Sequence, residues 1–273
     1  MKKFSVVFVA VSMAMALGAC AQSTKNDAAV SSEQPSASAE ASSEAPAEVE
    51  DVKSEGVMTY EEYAAAELDT EVVVETYVQA KQSWWEKDGV GKATVYTQDK
   101  DGAYFLYEMN CSAEDYEKLT VGTKIKVTGY KAEWSGEVEI IDANFEIVEG
   151  NYVAEAEDMT ALLGSDEIIN HQNKLVSFKG MTVEAAGQDA NGADVAFLYN
   201  WDGSGQDGND LYFKASIDGN TYTFTVESYL CDNTTDVYAA VKELKIGDTI
   251  DMEGFLYWYE GVNPHITSVT VVQ

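Results

Sequence analysis

The residues able to carry out covalent or acid–base chemistry are few or indistinguishable. His171 and His265 are the only histidines, and they lie far apart in the chain. No Gly-x-Ser-x-Gly elbow occurs, so a serine nucleophile with a histidine base has no sequence support. His265 follows Pro264 and opens an alternating apolar run, where an imidazole serves packing more readily than catalysis. Zinc needs clustered His and Cys ligands, and two His with two scattered Cys supply no such set. With 48 Asp and Glu in the chain, no carboxylate pair stands out as a glycosidase pair. The sequence therefore predicts a non-enzymatic protein, with an envelope enzyme kept as an alternative.

The aromatic residues are more informative. Trp84, Trp85, Trp134, Trp201 and the run Tyr257-Trp258-Tyr259 all sit beside Gly-containing loop sequence. Rings with an apolar body and a polar tip suit sugar rings and peptide side chains. These seven residues are candidate ligand contacts; packing as barrel lids is the competing explanation. The loop that follows Trp201 gathers Asp202, Asp207, Asn209 and Asp210 with three Gly. Oxygen ligands on a flexible loop suit Ca²⁺, the one cofactor considered. The EF-hand spacing is absent, and turn-forming residues account for the same composition. Cys111 and Cys231 each precede a helical pattern. They form either a disulfide or two small buried thiols.

The elements that would position these residues are organised around a repeat. Leu119, Val121, Gly122, Ile125, Val127, Gly129 and Tyr130 recur as Leu244, Ile246, Gly247, Ile250, Met252, Gly254 and Phe255, at a constant offset of 125. Each copy ends a short helix, turns at a Gly and enters an alternating strand, so duplicated structural units are predicted. In the first unit, Thr59 and Glu62 form a capping-box pattern ahead of a short helix. Strands are then predicted at 72–78, 93–97, 103–109, 124–134 and 138–148, the last broken at 142–144, with Asp101-Gly102 as a hairpin turn. The second unit predicts a helix over 160–170 and strands at 175–183, 211–217, 221–227, 249–259 and 265–272. A helix lies between strands three and four of each unit. Five strands in that order give a mainly β chain of two tandem OB-fold-like Greek-key barrels. The domains are taken as 57–150 and 151–273. OB-folds bind ligands on strands two and three and in the loops joining strands one to two and four to five. All five Trp fall at or beside those loops.

The start of the chain sets the compartment. Lys2 and Lys3, an apolar run from Phe4 to Leu17, and Leu17-Gly18-Ala19-Cys20 make a targeting segment of residues 1–19. The last four residues resemble the lipobox of bacterial lipoproteins, which implies cleavage before Cys20 and acylation of its thiol. Residues 20–56 are rich in Ser, Ala and Glu and cannot bury enough surface to fold, so they are predicted to be a disordered tether. The chain resembles the OB-fold lipoproteins of Gram-positive bacteria, on Lys118–Tyr130, Tyr257–Gly261 and the lipobox. That resemblance implies a fold and a place at the outer face of the cell membrane, with no activity to carry over. The membrane, through the lipid anchor, is one expected partner. An extracellular small molecule, glycan or protein is the other. Nucleic acid is not expected, because the net charge is −31 and all 17 basic residues are Lys. OB-fold binding of single-stranded nucleic acid and a calcium-dependent module remain the alternatives.

Overall fold

The computed structural model describes residues 53–272; the expected signal peptide, Cys20 and the expected tether up to residue 52 lie outside them. Helix α1 (Tyr60–Ala65) begins at the predicted capping box. The Thr59 hydroxyl accepts the Glu62 N–H at 3.1 Å, and the Glu62 carboxylate accepts the Thr59 N–H at 2.9 Å. At its other end the Lys131 ammonium donates to the carbonyls of Tyr63, Ala64 and Ala66, and the Tyr63 carbonyl also accepts the Ala66 N–H.

The first barrel is β1 (Glu71–Lys81), β2 (Val90–Gln98), β3 (Ala103–Asn110), α2 (Ala113–Lys118), β4 (Thr123–Trp134) and β5 (Glu137–Asn151). The sheet runs β1-β4-β5-β3-β2 and closes through antiparallel β1–β2 pairing, with β3 and β5 parallel. This is the OB-fold order. Alternation sends Ala93, Val95, Tyr104, Leu106, Ile125 and Val127 inward to one core. β5 is continuous where a break was predicted. Asp142 takes up the misfit at φ 50, opposite a register shift in β4 between Thr128 and Tyr130.

The second barrel is β6 (Leu175–Glu184), β7 (Leu211–Ile217), β8 (Asn220–Val226), α3 (Asp236–Lys242), β9 (Thr249–Phe255) and β10 (His265–Val272). Its order, β7-β8-β10-β9-β6 closed by β7–β6, repeats the first. The repeated glycines do the same work in both. Gly122 and Gly247 have φ near 90°, and their N–H groups donate to Val78 and Val183 at the end of strand one. Two expectations differ. The helix over 160–170 is two 3₁₀ turns, Thr160–Leu162 and Asp166–His171, separated at Gly164 with φ 80. β9 stops at Phe255, not 259, because the following backbone folds on itself: Asn263 N–H donates to the Tyr257 carbonyl and Tyr259 N–H to that of Gly261.

The two barrels share a third core. Tyr96 and Phe105 point out of the first barrel yet are buried, because Phe255, Leu175 and Tyr257 of the second cover them. The rings of Tyr96 and Phe255 stack with centroids 4.4 Å apart. Hydrogen bonds cross the same seam: Gln172 Nε2 to the Gly136 carbonyl at 2.8 Å, Asn173 Nδ2 to that of Val138 at 3.1 Å, and Leu175 N–H to Gln98 Oε1 at 2.8 Å.

Candidate ligand cleft

Beside this seam the barrels leave a cleft of about 1160 Å³. The first barrel supplies the β1–β2 loop with Gln82, Ser83, Trp84 and Trp85, the outward face of β2 and β3 with Thr94, Phe105, Tyr107 and Glu108, and Trp134 at the end of β4. The second supplies Trp201 and Asp210, Tyr212 of β7, Thr225, Glu227 and Tyr229 at the end of β8, Tyr257, Tyr259 and Asn263 of the β9–β10 loop, and His265. These are the ligand-binding elements of an OB-fold, once from each barrel. They face one another.

Local structure fixes the rings differently. Trp84 is half-buried; its Nε1 donates to the Cys111 carbonyl at 2.9 Å, and its ring lies where a side chain at Gly91 would stand. Trp85 stands on a short strand, Trp85–Lys87, paired with β2. Trp134 is 53% exposed and packs at 5.2 Å against Tyr259 of the other barrel, forming a lip across the cleft. Trp201, on the loop before β7, is 77% exposed. Deeper, Tyr257 stacks on His265 at 4.2 Å, and the His265 Nδ1 lies 2.8 Å from the Tyr96 hydroxyl. Burial holds the imidazole pKa down to about 3, so it is neutral. Ser83 N–H donates to the Tyr229 carbonyl at 2.8 Å, and Gln82 Nε2 to Glu227 Oε2 at 3.0 Å, tying the barrels together along one wall.

Six of the seven predicted aromatic contacts thus meet in one place. Trp258 does not. It is half-buried against the second core, over Gly136, and is a packing residue. The disulfide alternative is corrected: Cys111 and Cys231 are free thiols, each buried in the core of its own barrel, as the other reading had it. Burial first, then nearby carboxylates, pushes both thiols up to about 11. The calcium ligands are not brought together. Asp207 accepts from Lys242 and Asn233, Asp210 from Ser228, and Asp202 from Ser204 N–H in its own turn. No group of three metal-ligating side chains exists among the described residues.

Sequence reasoning missed Phe105, Tyr107, Tyr212, Tyr229, Glu227 and the cleft position of His265. A signal existed for three of them. Phe105 and Tyr107 alternate with inward Tyr104 and Leu106, and Tyr212 with inward Leu211 and Phe213, so large rings stood on the outer face of their strands. That the outer faces of two barrels meet was not in the pattern.

No protein-family model matches this chain, and no curated protein does. Solved structures do. The HINa domain of Ifi202, in complex with a 20-base-pair duplex DNA, matches at 13% identity over 74% of this chain and 98% of its own, with a TM-score of 0.33. A murine DNA-binding protein bound to duplex DNA matches at 11% identity over 74% of this chain and 96% of its own, with a TM-score of 0.34. A Replication Protein A heterotrimer bound to single-stranded DNA matches at 10% identity over 72% of this chain and 49% of its own, with a TM-score of 0.31. Identities this low leave the likeness at the level of fold. The expectation against a nucleic-acid partner is withdrawn as a correction: the solved structures named above include complexes with duplex and with single-stranded DNA, a fact about those proteins. The expectation rested on whole-chain charge, which does not by itself set the potential of one surface.

Proposed function

We propose that this chain is a lipid-anchored, extracytoplasmic binding protein that holds its ligand in the cleft between its two barrels, without chemical turnover. The observation that carries this reading is the convergence of both barrels' usual ligand-binding elements on one aromatic cleft. Anchoring is supported by the Leu-Gly-Ala-Cys20 motif, and a tether of this composition would hold the barrels off the membrane. A saccharide or a peptide of the cell envelope suits a cleft lined by Trp and Tyr rings with a few polar groups between them. Titration of the protein with envelope saccharides and peptides, followed by Trp emission, tests it. Trp134→Ala and Trp201→Ala are each expected to weaken binding about tenfold, since a stacked ring contributes on the order of 1–2 kcal/mol. Binding that ignores both substitutions refutes the cleft. Labelled fatty acid should enter the wild-type chain and not Cys20→Ala.

A second reading has one observation in its favour. The same exposed rings, Trp134, Trp201 and Tyr259, are of the kind on which single-stranded bases stack, at roughly 1–3 kcal/mol per base. A thymidine oligomer in the same titration decides between the readings.

A further inference from the structure

The lining of the cleft is one-sided in charge. Glu108, Asp210 and Glu227 line it, and no lysine does. Glu108 has a cation nearby, the Lys87 ammonium at 3.4 Å. Asp210 and Glu227 have no ion-pair partner among the described residues. Neutral donors hold them instead. Asp210 Oδ1 accepts the Ser228 N–H at 2.8 Å and its hydroxyl at 2.6 Å. Glu227 accepts Gln82 Nε2 at 3.0 Å and the Tyr229 N–H at 3.3 Å. These bonds fix two carboxylates in one wall without neutralising either.

That wall is partly dry. Glu227 is 9% exposed, and burial together with the charge of Asp210 pushes its pKa up to about 7. Two like charges in a low-dielectric wall are relieved by a proton on Glu227 or by a cation seated against the pair, and no lysine of the cleft supplies that cation. The other walls are ring surfaces: Trp134 and Tyr259 at the lip, Tyr212 and Tyr257 within, Trp201 at the mouth. Ring faces are electron-rich and attract cations, more strongly where water is excluded. A neutral sugar ring would use the faces and the hydrogen-bond acceptors but leave the repulsion between the acids in place. An organic cation uses all three.

Taking the cleft as the binding site, we propose that its ligand carries a positive charge, an organic ammonium group seated between the Asp210–Glu227 wall and the surrounding Tyr and Trp faces. Such a group on a small molecule or on a peptide side chain presents the same chemistry.

The test compares charged and neutral probes of matched shape on the full chain by calorimetric titration. One pair is choline and its carbon isostere, in which a tert-butyl group replaces the trimethylammonium. The other is pentylammonium and pentanol. At least one cation should bind about tenfold or more tightly than its neutral counterpart. Asp210→Asn and Glu227→Gln should each erase most of that preference by weakening the cation far more than its neutral counterpart, and Asp210→Asn, which keeps an oxygen for Ser228, should melt as the wild type does. Equal binding of charged and neutral probes overturns the proposal. Binding of a neutral saccharide or the thymidine oligomer with no binding of either cation overturns it too, while the cleft survives as a site. If no probe of any class perturbs the cleft, both readings fall.

Discussion

Glu137 offers a test of how the barrels are held together. It opens β5, is fully buried at the seam, and its Oε2 accepts the Trp258 N–H at 2.9 Å. Its Oε1 has no partner, and neither does Oδ1 of the neighbouring Asn173. A proton on Glu137 supplies a donor between two acceptors that otherwise have none. Burial, against the smaller opposing effects of the Trp258 N–H and the nearby Asn173 amide, pushes the carboxyl up to about 8 from 4.5. The folded state therefore binds this proton more tightly than the unfolded state. Its contribution to stability is fully present below about pH 4.5 and is lost as pH rises through about 8. Glu139 and Glu227, both pushed up to about 7 chiefly by burial, act in the same direction. His265, held down to about 3, acts oppositely, but only below about 6.5. From pH 6.5 to 8 the carboxyls stand alone, since ordinary acids have finished titrating and lysines have not begun. Glu137 then loses about 1.4 kcal/mol per pH unit, or about 2 kcal/mol across the window. For a folded region of this size that is about 4–8 °C in Tm. Glu137→Gln keeps an acceptor for Trp258 and carries a permanent donor for Asn173. Scanning calorimetry at pH 6.5, 7.2 and 8 should therefore show the wild type losing about 4–8 °C more than the variant. Parallel curves would mean that Glu137 is already ionised in the folded protein, and the argument from burial would fail.

The tryptophans should separate by role: Trp258→Ala is expected to cost about 3 kcal/mol, at the low end for a truncated buried ring, and Trp201→Ala less than about 0.5 kcal/mol. Equal losses in chemical denaturation would contradict the placement of Trp258 in the core and Trp201 at the mouth. The thiols of Cys111 and Cys231 should stay unreactive toward a thiol reagent in the folded protein and react fully on denaturation, with identical Tm with and without reductant. A Tm that falls on reduction would point to a bridge. Residues 57–150 and 151–273 made separately should each melt below the full chain, because separation exposes Tyr96, Phe105 and Phe255, each worth about 1.5–3 kcal/mol of burial. Halves that melt as high as the whole would leave the shared core without a role in stability.

Strand and turn assignments were legible in the sequence because they depend on neighbours along the chain. Alternation placed Ile125, Val127, Ile250 and Met252 on inner faces, Gly122 and Gly247 marked the two joints, and Thr59 with Glu62 announced α1. Five strands and a helix in that order allowed few closures, so the barrel followed from local pattern. The clustering of Trp at ligand loops was legible for the same reason. Other features depended on contacts between residues distant in the chain, and those were decided by tertiary structure. Tyr96 and Phe105 occupy outward positions and read as surface, but the second barrel buries them. Trp258 sits between two cleft tyrosines in sequence, yet the fold of the backbone after Phe255 turns it toward Gly136 and away from them. Cys111 and Cys231 each lie between the third strand and the helix of their own barrel, and each is buried in that barrel's core and apart from the other. The cleft itself exists because the two barrels dock with their ligand-binding faces toward each other. No period of two or of 3.6 encodes that arrangement, since it depends on the pairing of surfaces and not on the spacing of residues along the chain.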